Sequence, residues 1–168
     1  IAKHLKEEGK LKKDKVVTTI MSNMGFEKYL KDNGIELLRS NVGDRYVLEK
    51  MKEEGVNLGG EQSGHIINSD HNTTGDGMLN ALQLVSLLKE KEKTLSELAA
   101  QIPKYPQILI NIVVDRDKKE LWDKNEKIID IISKKEKELD DRGRIIVRTS
   151  GTEPKIRVMA EGKDKKEI

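Results

Sequence analysis

The sequence predicts an α/β layer domain with a mixed, largely parallel sheet, followed by a smaller α+β domain with an antiparallel sheet. Three observations carry this reading. Short β-branched runs alternate with helical patterns in the first part of the chain, the rhythm of parallel strands joined by crossover helices. Paired prolines in Pro103-Lys-Tyr-Pro106 then halt a helix and stiffen a crossing segment. Beyond them a strand, a long helix and two further strands separated by a loop fit a compact α+β unit. The boundaries that follow are 1–102 for the first domain, 103–106 for a hinge, and 107–168 for the second domain.

Taken in order, Ile1 and Leu5 open a helical pattern that stops at Gly9. Val16–Met21 reads as a strand, and Ser22-Asn23 can cap a helix over Phe26–Asp32 that Asn33-Gly34 ends. Ile35–Leu38 is a second strand. Asp44–Glu53 is a helix with Tyr46, Val47 and Met51 on its apolar side. Leu58–Ile67 reads as one strand interrupted by glycines and polar residues. From Asp76 a long helix carries Met78, Ala81, Leu82, Val85 and Leu88, and Leu79, Leu84 and Leu87 widen that stripe enough for cover on two sides. Thr94-Leu-Ser-Glu97 is a capping box for a helix ending near Ile102. In the second domain Ile108, Ile110, Ile112 and Val114 alternate as a half-buried strand, and Leu121–Leu139 reads as one helix with Leu121, Ile128, Ile132 and Leu139 on one side. Arg144–Arg148 is a strand, and in the last one Ile156, Val158 and Ala160 point inward. Lys163–Ile168 resembles the first turn of another helix. An opening without Met and this unfinished turn lead to the expectation that the sequence is a piece of a longer chain.

Composition narrows the functions. Apolar residues make up 35% of 168, enough for a folded core, and 37% are charged. Lys and Arg number 32 against 30 Asp and Glu, so no global field draws the protein to nucleic acid or to a membrane surface. Any anion site must be local. Absence of cysteine removes disulfides, thiolate catalysis and Cys-based zinc sites, and it suits a cytoplasmic protein. No apolar run reaches the roughly 20 residues that span a bilayer. A single Trp and a single Phe are too few for a base-stacking platform.

Two stretches carry the chemistry. Arg148-Thr-Ser-Gly-Thr-Glu-Pro-Lys-Ile-Arg157 sets a fixed guanidinium, the hydroxyls of Ser150 and Thr152, and the accessible backbone of Gly151 around one loop. Those are the donors a phosphate dianion takes up. A plain turn with Arg148 and Arg157 as solvated strand ends accounts for the same letters. In Gly60-Glu-Gln-Ser-Gly-His65, an extended backbone puts Glu61, Ser63 and His65 on one side, a polar face suited to vicinal sugar hydroxyls. A glycine-rich bulge with a solvated Glu61 is the plainer reading. Zinc lacks a third ligand there, and a hydrolase triad lacks an oxyanion loop. Thr73, Thr74 and Asp76 precede the long helix as capping residues, and a helix N-terminus also attracts anions; capping is the plainer role.

Gly60-Glu-Gln-Ser-Gly-His65, Thr73-Thr-Gly-Asp-Gly77 and Arg148-Thr-Ser-Gly-Thr-Glu-Pro154 together resemble the sugar-binding and phosphate-binding loops of the α-D-phosphohexomutases. Val42-Gly-Asp-Arg-Tyr-Val47 and Ile156-Arg-Val-Met-Ala-Glu-Gly162 bring the likeness nearest to the phosphoglucosamine mutases within that family. The resemblance implies domain 3 and most of domain 4 of a four-domain cytoplasmic enzyme, a magnesium-dependent phosphoprotein of amino-sugar and cell-wall precursor synthesis. Such an enzyme interconverts glucosamine 6-phosphate and glucosamine 1-phosphate through a bisphosphate; phosphomannomutase or phosphoglucomutase activity is the nearest alternative, a noncatalytic phospho-ligand module the next. On the matching positions, Glu61, Ser63 and His65 would hold the sugar, and Arg148, Ser150, Gly151 and Thr152 the phosphate that is not transferred. Arg45 and Arg157 would reach the cleft. The family's Ser-His-Asn-Pro nucleophile and Asp-Gly-Asp metal loop do not occur in this sequence. The resemblance therefore implies that this chain alone binds a sugar phosphate without turning it over, with no catalytic residue and no metal ligand of its own. Its partners would be the first two domains and, for the longer protein, a second copy; nucleic acid and membrane are not among them.

Overall fold

The computed structural model describes residues 1–168, which form two compact units, Ile1–Lys104 and Tyr105–Ile168. In the first, helix α1 (Ala2–Glu7) leads to β1 (Lys15–Thr19), α2 (Met24–Asp32), β2 (Glu36–Ser40), α3 (Asp44–Glu54), β3 (Leu58–Gly60), β4 (Ile66–Asn68), α4 (Gly77–Lys91) and α5 (Leu95–Ala99). The sheet runs β2-β1-β3-β4, with β2, β1 and β3 parallel and β4 antiparallel to β3. This is the mixed, largely parallel sheet that the strand-helix rhythm predicts.

Adjacent residues of β1 divide the core. Val16 packs with Leu30, Ile35 and Leu58 beneath α1 and α2, while Val17 packs with Val47, Met51 and Ile67 beneath α3. Successive strand side chains face opposite ways, so one dipeptide anchors both helical layers. At Gly59 the approach of α3 is so close that a Cβ would lie 2.5 Å from Met51 Sδ and 2.7 Å from Val47 Cγ1. The buried Asn57 ties the entry of β3 to its surroundings. Its Nδ2 donates to Lys10 O at 2.8 Å and to Asp70 Oδ2 at 2.6 Å, and its Oδ1 accepts from Lys12 N at 2.9 Å.

Helix starts follow the capping chemistry. Asn23 accepts from Gly25 N at 2.9 Å, Asp76 from Leu79 N at 3.0 Å, and the Thr94–Glu97 capping box closes in both directions. Two expectations for this unit need correction. Leu58–Ile67 is not one strand but a hairpin, because Gly64 adopts a φ of +97° and turns the chain between β3 and β4. The stripe of α4 is not covered on two sides: Met78, Leu82 and Val85 are 81%, 69% and 62% exposed and only Leu87 is buried. That helix leans on the unit through polar contacts, Asn80 Nδ2 donating to Ile66 O at 2.7 Å and Lys91 Nζ to Glu7 Oε2 at 3.0 Å.

The second unit comprises β5 (Gln107–Val113), α6 (Glu126–Leu139), β6 (Gly143–Thr149) and β7 (Lys155–Gly162), with an antiparallel sheet ordered β5-β7-β6. The predicted helix over Leu121–Leu139 divides. Lys119–Lys124 is 3₁₀, and Asn125 caps α6 by accepting from Lys127 N at 3.1 Å. On the edge strand β5, Leu109, Ile110, Ile112 and Val113 are all exposed, so the expected half-buried alternation is absent there. In β7 full burial falls on Met159 and Glu161 rather than on Ile156, Val158 and Ala160, which are half-buried. Glu161 is buried because Arg144 Nη2 pairs with it at 2.7 Å and Gln107 Nε2 donates to it at 3.0 Å. Lys163–Ile168 forms a turn, not a helix; the Asp164 side chain draws Lys166 N to 2.9 Å. No helix is long and apolar enough to cross a membrane.

Candidate functional site

Strands β1, β2 and β3 are parallel and end at Thr19, Ser40 and Gly60, so the segments that follow them leave from the same edge of the sheet. In open α/β sheets ligands bind at that carboxyl edge. The Glu61–His65 turn follows β3 and is closed by Glu61 N donating to His65 O at 2.9 Å and Gly64 N to Glu61 O at 3.0 Å. Gly60 is required by this closure, since a Cβ there would stand 2.8 Å from His65 O.

Within the turn Ser63 Oγ donates to Glu61 Oε1 at 2.6 Å and lies 2.9 Å from His65 Nδ1, which is 3.3 Å from the same carboxylate oxygen. The three residues singled out in the sequence therefore come together. A tight turn brings them there, not the alternation of a strand. Ser63 and Glu61 both meet the same imidazole nitrogen, whereas a hydrolytic relay needs its histidine to bridge serine and carboxylate through different nitrogens. The cluster is a donor-and-acceptor platform instead. Arg45 stands in the first turn of α3, beyond the end of β2, and is strongly exposed; its Nε donates to Glu49 Oε1 at 2.8 Å and not to the Glu61 cluster.

The second stretch joins β6 to β7. Ser150 N donates to Lys155 O at 2.9 Å, and Ser150 Oγ accepts from Glu153 N at 3.3 Å, so this buried serine organises the loop from inside. Gly151 and Thr152 are exposed. Gly151 has no positive φ, and nothing lies within 4 Å of a Cβ built on it, so neither backbone nor packing demands glycine. Arg148 and Arg157 stand directly opposite each other across the β6–β7 ladder. Arg157 Nη2 pairs with Glu153 Oε2 at 2.9 Å, while Arg148 has no ion pair, and the Nε atoms of both are buried without a hydrogen-bond partner. Burial, and then the adjacent Arg157, push the Arg148 guanidinium below the ordinary arginine pKa.

Comparison with known proteins places both units in one family. Residues 1–105 match the alpha/beta/alpha domain III of phosphoglucomutase/phosphomannomutase, and residues 109–168 match the C-terminal domain of the same enzymes. The chain belongs to the phosphoglucomutase/phosphomannomutase family. It is 59% identical over 165 residues to a phosphoglucosamine mutase of Fusobacterium nucleatum, and 56% identical over 165 residues to that of Bacillus subtilis. Each alignment covers 98% of this chain but 36% of the relative, so the chain spans about a third of their length. Among solved structures, Aspergillus fumigatus N-acetylphosphoglucosamine mutase in complex with GlcNAc-6P and magnesium superposes with a TM-score of 0.79 at 20% identity, covering 99% of this chain and 42% of that one. A phosphoglucomutase/phosphomannomutase family protein from Burkholderia thailandensis gives 0.74 at 17% identity, covering 98% of this chain and 36% of that one. The fold is thus the family's.

Magnesium finds no fitting donor set in this family member's chain. The single carboxylate of Gly75-Asp76-Gly77 is used at the start of α4, with Asn72 Nδ2 also 3.4 Å from it. His4, Glu8 and Glu90 cluster between α1 and α4, but Lys10 lies 2.7 Å from Glu8 and Lys91 3.8 Å from Glu90, and magnesium prefers an all-oxygen shell. Sequence reasoning missed Glu153. Its signal was the acid-base alternation of Glu153, Lys155 and Arg157, which brings three charges onto one side of a strand and its approach.

Proposed function

We propose that this chain is the sugar-phosphate-recognising part of a phosphoglucosamine mutase, which in its full length interconverts glucosamine 6-phosphate and glucosamine 1-phosphate through a bisphosphate. The curated relatives' names support the amino sugar over mannose or glucose. In this reading 1–102 and 107–168 are the two domains, joined by a hinge at 103–106. Glu61, Ser63 and His65 accept and donate to ring hydroxyls. Arg148, Ser150, Gly151 and Thr152 hold the phosphate that is not being transferred, and the chain alone binds without catalysing. The nucleophile and the magnesium ligands belong to other parts of the full-length enzyme.

The observation that carries this reading is the Arg148 guanidinium, half-buried opposite Arg157 and itself without an anionic partner. Charge-assisted bonds to a phosphate would satisfy it, and Gly151 and Thr152 leave the approach open. The turn at Glu61 is suited to the sugar, since a carboxylate and a hydroxyl in contact can serve ring hydroxyls in more than one orientation. Calorimetric titration of the chain with glucosamine 6-phosphate, and then with mannose and glucose phosphates, tests it. Arg148→Ala should weaken binding of the sugar phosphate and of inorganic phosphate by roughly 10- to 100-fold, the worth of a charged hydrogen bond. Glu61→Gln should weaken the sugar phosphate alone. Equal effects of Glu61→Gln on both ligands would contradict separate roles for the two loops.

A further inference from the structure

Glu153 is the single carboxylate of the Arg148–Arg157 loop, and both of its oxygens are engaged. Oε1 accepts from Lys155 Nζ at 2.5 Å and Oε2 from Arg157 Nη2 at 2.9 Å. Its backbone N is held by Ser150 Oγ at 3.3 Å, so the residue carrying this charge is tied to one expected to touch phosphate. Lys155 and Arg157 draw its carboxyl pKa below the usual range, Lys155 more strongly, which keeps the anion fully charged at neutral pH.

Arg157 lies directly across the ladder from Arg148, a placement that sets Cβ atoms about 5 Å apart. An anion gripped by Arg148 therefore comes within reach of Arg157, whose other duty is to Glu153. Like charges so placed repel, and Glu153 neutralises only one of them. We propose that Glu153 is a resident counter-anion of the loop: it holds Arg157 while the loop is empty and yields it to the ligand's phosphate, which then sits between two guanidiniums. Lys155 keeps the released carboxylate paired. The exchange favours phosphomonoester dianions, because a monoanion displaces the resident charge less readily. Glu153 thereby sets how readily Arg157 reaches the phosphate. This inference rests on the phosphate reading of the loop.

The test is titration of the 168-residue chain and its variants with inorganic phosphate at low salt, with circular dichroism to monitor the fold. Glu153→Gln should bind phosphate roughly two- to fivefold more tightly, as removal of a partly exposed competing ion pair implies. Arg157→Gln should bind it about tenfold more weakly, since a charge-assisted bond is lost. Unchanged or weaker binding by a folded Glu153→Gln overturns the proposal and makes the carboxylate a fixed strut. Should that variant unfold, Arg157→Gln decides: unchanged affinity overturns it too. Arg148→Ala separates the two levels. If Arg148→Ala binds phosphate like the parent chain, the phosphate reading itself fails; if it loses binding while Glu153→Gln gains nothing, only the exchange fails.

Discussion

The Glu61–His65 turn and the Arg148–Arg157 loop differ in how far each meets its own polar demands. In the first, carboxylate, hydroxyl and imidazole bond to one another, and the turn stands on a strand anchored from both faces. In the second, one guanidinium has no counter-ion, two Nε atoms are buried without partners, and the supporting unit fully buries only Leu139 and Met159 among its large apolar side chains. Neutral hydroxyl ligands reward a platform whose groups are already oriented. A dianion rewards cations left wanting, because the desolvation cost borne in the empty state is recovered on binding. The difference teaches where stability and affinity are each invested.

Support of the first loop offers the largest test. Asn57→Ala removes the three hydrogen bonds that this buried amide makes to Lys10 O, Lys12 N and Asp70, and at about 1 kcal/mol each we expect a loss of about 3 kcal/mol from the first unit. Thermal unfolding and hydrogen exchange should register it in β1 and β3 while amides of β6 and β7 keep their protection. Loss of protection in both units alike would show that the two loops share one support. A smaller effect is expected of Ser150→Ala, about 1 kcal/mol, because Glu153 N loses its acceptor. It should appear as faster exchange at Glu153 N and weaker phosphate binding, with the Glu61 turn unaffected.

Much of this contrast was legible in the letters, and the gaps have physical causes. The βα rhythm, the caps at Asn23, Asp76 and Thr94, and the three-strand second sheet follow from local propensity, which acts within a few residues. The hairpin at Gly64 was hidden because a positive φ leaves no trace in hydrophobic spacing. Asn125 was readable as a cap, yet the apolar residues on either side continue at helical spacing and mask the break. Exposure of Met78, Leu82 and Val85 was not readable at all, since periodicity names an apolar face without naming what covers it. For the candidate site, spacing alone placed Glu61, Ser63 and His65 together by the wrong geometry. It gave Arg148 no sign that its neighbour was another arginine, because strand register is a tertiary fact.

The weakest expected effect concerns Asp70, which joins the first unit's support network and can be read by pH. Lys12 Nζ at 2.9 Å, and then Asn57, draw its carboxyl pKa below the usual 3.8. A carboxyl with a depressed folded pKa adds stability that is present above the unfolded value and is lost as pH falls through the folded one. Asp70→Asn should therefore lower the unfolding free energy of the first unit at neutral pH, and the gap between variant and parent should close as pH falls below 3.8 through the folded value. The side chain is 41% exposed, so solvent screening keeps the difference small. Glu153 shares the sign of the shift but not the setting, because its partners Lys155 and Arg157 belong to the loop proposed to hold phosphate. Added phosphate should leave the Asp70 gap unchanged, and a gap that phosphate narrows would mean that the support of the Glu61 turn responds to the other loop's ligand.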